Sequence, residues 1–548
     1  MLVAAIGCVR EHSKDRILGR IGDYELTEEH FQAAFKIFYS RTGQSIPINE
    51  VSKKSVFESE FNKYVLATYA KDFALHEKPE AVKELAAIQR STLVKAYLKR
   101  HFFDTLKADL RVSQEMFRRS RTSLRASHLY ARTKKQADSL YGLVKAGYDF
   151  ETLAKNNFNN KILSASGGDL GYFTLDDMDY DFEDAAYRLK VGEVSKPVKT
   201  AQGYSIIKLT DIVPAPISTD MDFYTSKPVF DQIAEVRQRH VLEQAHLNEV
   251  LSAYTIGEST VEQLWILFEN WRESGDFQLV PFPIGVKPSD YAVTTVDNSR
   301  GFTVEDLLHE VSIAPLELLE KVVTKEDFMN LIKGSVYQMH VVREAKKEGL
   351  HKENYYTTNV EYAFVSYLID AVERNVDSYF VIDSVEIESE FRKRGFNFVK
   401  PAQYNLLKLA VSSLAQANNA IKEIESGKKQ WSDIVRNLSV ENELVSTGGA
   451  LGWVSHNDLG TLGHYFRNKK TGDIVGPISV SSNRFEIYKV LDRRESSKMS
   501  YAEACNEIER QLRLSYREKN LKQIVDDTKR RHSAFVNDDY IYNLNIKL

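Results

Sequence analysis

Two long stretches of the chain place apolar residues at helical spacing. FESEFNKYVLATYAKDFAL puts Phe57, Phe61, Tyr64 and Val65 on one face, and FMNLIKGSVYQMHVVREAKKEGL does the same with Phe328, Leu331, Ile332 and Val336. Recurrence at i, i+3 and i+4 predicts amphipathic helices. Each leads into a further helical pattern, ending near Phe117 and near Phe391, and then into a strand-like run, LRASHLYAR from Leu124 and YNLLKLAVS from Tyr404. The residues upstream also correspond. Ile17–Phe31 reads as a short strand, a turn and a helix start with Thr27 as N-cap. Tyr291–Leu308 has the same plan, with Thr303 as cap and Asp306 as its acidic partner.

The chain therefore reads as one two-part unit, helical then α+β, used twice. In the first α+β part the pattern predicts a strand at Arg125–Ala131, helices at Lys134–Lys145 and Phe150–Ala154, a strand at Tyr172–Phe173, a helix from Asp181 to Leu189 and a last strand, Gly203–Ile212. That order fits helices on one face of a small antiparallel sheet. SASGGDLGYF, from Ser164, returns as STGGALGWV from Ser446, and its double glycine permits a tight reversal into a strand. Pro214 and Pro216 close the first α+β part. A helix from Pro228 to Tyr254 follows, with a counterpart at Tyr501–Arg531. Pro281, Pro283, Gly285 and Pro288 mark the linker between the halves. The end, YIYNLNIKL from Tyr540, alternates like a strand. The expected parts are 1–14, a leader and tether; 15–120, helical; 121–214, α+β; 215–289, helix and linker; 290–399, helical; 400–494, α+β; and 495–548, helix and tail. The fold class is α+β.

Composition narrows the function. Hydrophobic residues make up 43% and charged residues 27% of 548, the profile of globular modules. A net charge of −4, with Lys and Arg spread along the chain, argues against a nucleic-acid partner. Cys8 and Cys505 have no metal spacing and the histidines are scattered, so neither a metal nor another cofactor is expected. No run of about 18 apolar residues is present to span a membrane. MLVAAIGC ends its apolar and small residues at Cys8, and polar REHSKD follows at Arg10. This resembles the end of a bacterial lipoprotein signal, which implies lipidation of Cys8 and a membrane anchor. Ala5 stands where leucine is usual, and a basic n-region is missing from Met1 onward.

The first α+β part resembles the parvulin family of peptidyl-prolyl isomerases. GGDLGYF, Met178, FEDAAYRLKVGEVSKPVKT from Phe182 to Thr200, and GYSIIKL carry the resemblance. The helical part before it and the tandem layout resemble the SurA and PrsA group of cell-envelope foldases. The resemblance implies that Leu170, Met178 and Phe182 form a slot for proline, with His128, Ser205, Thr200 and Asn160 as the polar set. Ser205 stands where the family usually has a second histidine, and Asn160 where aspartate or cysteine is common. Prolyl isomerisation makes no lasting bond. The imide barrier of about 18–20 kcal/mol reflects resonance, so a catalyst needs an apolar grip and stabilisation of the twisted imide, not a nucleophile.

The second copy departs from the pattern. Lys408 and Glu486 fall at the two histidine positions, Glu441 replaces the aspartate, and Leu462 replaces the methionine. Phe466 keeps the spacing of four, but Gly472 follows it after six residues, where Gly192 follows Phe182 after ten. A charged pair there can close the pocket, so a binding or spacer role is expected. The whole reads as an extracytoplasmic foldase of the bacterial envelope, periplasmic or lipid-anchored. It would act on unfolded or proline-containing polypeptides through the first parvulin-like part. The alternative is a holdase with two inactive parvulin-like parts.

Overall fold

The computed structural model describes residues 16–43, 45–214, 219–274, 287, 289–296, 301–394, 398–481 and 484–547. Cys8, Pro216 and the linker residues Pro281, Pro283, Gly285 and Pro288 lie outside them. The chain forms two compact units, one of Met1–Asp104, His246–Lys393 and Tyr501–Leu548, the other of Thr105–Ala245 and Arg394–Ser500.

The first unit is helical with two small sheets. Ile17–Ile21 and Tyr24–Thr27 form a hairpin, and the Thr27 hydroxyl accepts the His30 amide at 3.4 Å to start helix Glu28–Arg41. In the second half, Tyr291–Thr295 pairs with Phe302–Thr303, and Thr303 and Asp306 close a full capping box on Val304–Ser312. The predicted apolar stripes are inside. Phe57, Phe61, Tyr64 and Val65 of helix Glu50–Asp72 share a core with Val365, Leu368, Val372 and Val376 of helix Asn354–Ser378, and with Val525 of helix Tyr501–Arg531. Phe328, Leu331, Ile332 and Val336 of helix Lys325–Lys347 pack with Val261, Leu264, Trp265 and Phe268 of Glu258–Ser274 and with the Tyr291–Thr303 hairpin. Helix Pro79–Leu98 lies against both Lys325–Lys347 and Asn354–Ser378, joined by Leu93, Ala345 and Leu350.

Each hairpin takes its third strand from the other half of the chain. Phe535–Val536 pairs antiparallel with Ile17–Ile21, and Tyr254–Ile256 pairs antiparallel with Tyr291–Thr295. The strand in the C-terminal tail is thus Phe535–Val536 and not the stretch from Tyr540. Asp538–Asn543 is a short helix, capped by the Asn537 side chain, and its Ile541 and the following Leu544 fill the first core.

The second unit holds two four-stranded sheets of the same connectivity and a two-stranded pair, Val399–Lys400 with Ser497–Lys498. In the first, Ser123–Ala131 lies between Asp169–Phe173 and Gly203–Val213, and Val198–Thr200 edges the latter. In the second, Gln403–Val411 lies between Ala450–Ser455 and Arg484–Arg494, with Ile474–Ser481 at the edge. Helices Lys134–Lys145 and Phe150–Asn157, and in the second copy Leu414–Ser426 and Trp431–Leu438, follow each central strand. The helix expected from Pro228 begins earlier, at Asp220, and carries Pro228 inside it. Pro228 leaves the Tyr224 carbonyl without its helical donor, and Tyr224 lies at the surface, open to solvent.

Candidate functional site

The double glycine is a matter of contact as well as of turning. Gly168 has φ +78°, and a Cβ there would stand 2.3 Å from the His128 carbonyl oxygen. Its own carbonyl accepts the His128 amide at 2.9 Å, so the turn is sewn to the central strand beside that histidine. The second copy repeats this. Gly449 has φ +86°, a Cβ there would meet the Lys408 carbonyl at 2.5 Å, and its carbonyl accepts the Lys408 amide.

From that turn the strand Asp169–Phe173 delivers Leu170 to one apolar cluster. Phe182, Phe173, Leu124, Ala126, Ile207 and Leu209 form its buried centre, and half-buried Leu170 and Met178 pack against it. Leu170, Met178 and Phe182 are therefore together. Phe182 is 4% exposed, its ring edge-on to Phe173 at 5.9 Å and to His128 at 6.1 Å. Met178 is not on the helix with Phe182. Asp179 caps that helix, Tyr180–Ala186, and Met178 precedes the cap. Met178 packs against the cluster from just before the helix entrance.

The polar set divides. The His128 Nδ1 lies 3.4 Å from the Ser205 hydroxyl, and its ring packs on Phe158 at 5.1 Å. Its Nε2 is buried and has no hydrogen-bond partner among the described residues. Burial pushes this imidazole down to about 4, so it is neutral at neutral pH. Thr200 and Asn160 each make a local hydrogen bond. The Thr200 hydroxyl donates to the Gly203 carbonyl at 3.3 Å across the turn between the last two strands. Asn160 is exposed, and its Oδ1 accepts the Leu163 amide at 3.3 Å at the start of helix Lys161–Ala165. Sequence reading missed Phe158. A lone aromatic inside NNFNN is a visible signal, since four asparagines supply no other apolar contact.

In the second copy the charged residues do find each other. Lys408 Nζ lies 2.8 Å from Glu486 and 3.0 Å from Glu441, and Arg484 joins both carboxylates. The Tyr488 hydroxyl donates to Glu486 at 2.5 Å. Burial alone would push the Glu486 carboxyl up. The Lys408 ammonium and Tyr488 hydroxyl outweigh it and hold the group below the usual carboxylate range. Phe466 is fully buried beside Tyr404 and Tyr488, and its helix, Gly463–Phe466, is short.

A four-stranded sheet, a glycine turn fixed to the histidine strand and an apolar cluster at the histidine's edge define a parvulin-type peptidyl-prolyl isomerase domain. Residues 123–211 match the rotamase family, the PPIC-type PPIASE domain. The foldase protein PrsA of Geobacillus sp. (strain WCH70) is 30% identical over 230 residues, 38% of this chain and 79% of that protein. The foldase protein PrsA of Bacillus subtilis (strain 168) is 46% identical over 89 residues, 16% of this chain and 30% of its own length. A crystal structure of the PrsA peptidylprolyl isomerase from Bacillus anthracis overlays with 21% identity, covering 40% of this chain and 95% of that one, at a TM-score of 0.22. The chain belongs to the PrsA foldase family of parvulin-type isomerases. It is a peptidyl-prolyl cis–trans isomerase with a foldase architecture, and no described helix is long and apolar enough to cross a membrane.

Proposed function

We propose that isomerase activity resides in the first parvulin-like domain, that the second domain is catalytically silent, and that the helical unit holds unfolded polypeptide clients while the first domain turns their prolines. The observation that carries this reading is the gathering of Leu170, Met178 and Phe182 in one cluster at the edge of a neutral His128. Leu170 and Met178 are half-buried, which leaves apolar surface for a proline ring. A methionine side chain adapts to a ring that moves during the reaction. The Nε2 nitrogen and Ser205 lie beside the cluster to polarise a twisted imide, whose carbonyl has lost resonance and become more ketone-like. In the second domain Lys408 and Glu486 fill the corresponding positions with a closed ion pair.

The test uses the whole chain and a short chromogenic proline peptide. Met178→Ala is expected to lower kcat/KM about tenfold or more with the melting temperature little changed, and Leu462→Ala in the second domain to leave kcat/KM unaltered. Loss of activity with Leu462→Ala and none with Met178→Ala would reverse the assignment.

The place of action follows the family: the bacterial cell envelope, with Cys8 as the lipid-modified residue that anchors the protein. Its support is the apolar and small run MLVAAIG before Cys8 and the polar tether after it. Cys8→Ser is expected to shift the protein from the membrane fraction to the soluble fraction of its host. A Cys8 peptide carrying no lipid in mass spectra of the native protein would overturn the anchor.

A further inference from the structure

The wall of the proline slot is held from outside the isomerase domain. Arg237 sits on the long helix Asp220–Ser252, beyond the residues 123–211 that match the family. It is 7% exposed, and its Nη2 donates to Glu183 Oε2 at 2.5 Å and to Asp176 Oδ1 at 2.7 Å. Glu183 has no exposed surface, and its other oxygen accepts the Met178 amide at 3.1 Å. The guanidinium also lies 3.7 Å over the Tyr180 ring. One nitrogen thus bridges the two ends of the segment 176–183, which carries both Met178 and Phe182.

A second feature of the same segment points the same way. Asp176 has φ +67°, a left-handed conformation that an aspartate holds at some cost. Its carboxylate is the one that Arg237 grips. Burial pushes the Glu183 carboxyl up, opposed by the Met178 amide and by Arg237, so the charge on Glu183 depends on its partner.

We propose that Arg237 is a positioning residue for the proline slot: it fixes the Asp176–Glu183 segment, and through it Met178 and Phe182, in the geometry that receives the proline ring. This rests on the reading of Leu170, Met178 and Phe182 as the slot. The tie acts on the ring's grip, which the planar and the twisted imide share, so its loss weakens peptide binding more than it slows turnover. A merely structural arginine would instead reduce the fraction of folded domain and leave the affinity of the remainder unchanged.

The experiment is a titration of the full chain, labelled with ¹³C at the methionine methyls, with a short proline peptide. Wild type, Arg237→Met and Asp176→Gly are compared. Asp176 is 45% exposed at its side chain, and glycine accepts its backbone angle, so Asp176→Gly is expected to keep the fold and tests the tie even if Arg237→Met unfolds. The Met178 methyl signal is expected to shift with peptide in wild type, and the midpoint to rise about fivefold or more in Asp176→Gly and in folded Arg237→Met. An unchanged midpoint in Asp176→Gly, whatever the signal intensity, overturns the tie and leaves the slot intact. A wild-type Met178 signal that ignores saturating peptide overturns the slot reading and the tie together.

Discussion

At the scale of single residues, the proposed slot combines a rigid part with an adaptable one. Phe182 is buried on Phe173 and His128, so it is a core residue as well as a residue of the proposed slot. Phe182→Ala is expected to cost about 3–5 kcal/mol in the stability of the first domain, because the cavity cannot refill from a sheet behind it. Denaturant unfolding followed by a probe in that domain checks this; a loss below about 1 kcal/mol would mean an open ring. The family resemblance carried by GGDLGYF and Met178 pointed to Leu170 and Met178, and both pack against the Phe182 cluster. Asn160 and Thr200, the other two expected polar residues, each make a local hydrogen bond. Asn and Thr satisfy local backbone groups as readily as distant ones, and here a helix start and a hairpin turn claim them. Arg237 was invisible because nothing in its helical surroundings tells which face meets Glu183.

Secondary elements were read well wherever one period ruled. Lys134–Lys145 and Tyr501–Arg531 stand where the apolar spacing put them, and the Thr27 and Thr303 caps form as the sequence implies. The tail from Tyr540 is no strand: its first four residues close the short helix Asp538–Asn543, whose Ile541 fills the core together with Leu544 just after it. The charged cluster of the second domain was legible from Lys408 and Glu486 alone, although Arg484 and Tyr488, which complete it, were not foreseen. Lys408→Met removes the ammonium between two carboxylates of which Glu486 is nearly unexposed. It is expected to destabilise that domain by about 3–5 kcal/mol at neutral pH, since an unbalanced buried charge remains. The sign with pH follows. In wild type the Glu486 group is held below its unfolded value, so its contribution is present above the unfolded carboxylate range and is lost as pH falls through the lowered folded value. Without Lys408 that depression weakens, and protonation relieves the buried charge. The stability gap between variant and wild type should therefore narrow as the pH is lowered from 7 toward 4. A gap that widens on acidification would show that Lys408 does not set the state of Glu486.

Across the whole chain, the two halves are equivalent in order and reciprocal in contact. Helices Glu50–Asp72 and Pro79–Leu98 recur as Lys325–Lys347 and Asn354–Ser378, with starts at 50 and 79 matched by 325 and 354. Yet Glu50–Asp72 packs on Asn354–Ser378, and Pro79–Leu98 packs on Lys325–Lys347, so each first helix of a pair is covered by the second helix of the other pair. The strands follow the same rule. Tyr254–Ile256, which ends the first half, completes the hairpin of the second, and Phe535–Val536, which ends the second half, completes the hairpin of the first. This is the contact pattern of an exchanged dimer, written within one chain. The apolar stripes showed that each helix needs a cover, but identical stripes in both halves could not say which copy supplies it. A half-chain ending near residue 274 keeps Ile17–Thr27, Pro79–Leu98 and Tyr254–Ile256, one of each complementary part. It cannot cover Phe57, Phe61 and Val65 with Asn354–Ser378, so they must meet the equivalent helix, Pro79–Leu98, of a second copy. We expect this half-chain to sediment as a dimer whose melting temperature rises with concentration. A monomer that melts as cooperatively as the full chain, at a temperature independent of concentration, would show that one half can close its own core, and that the reciprocal packing is not needed for folding.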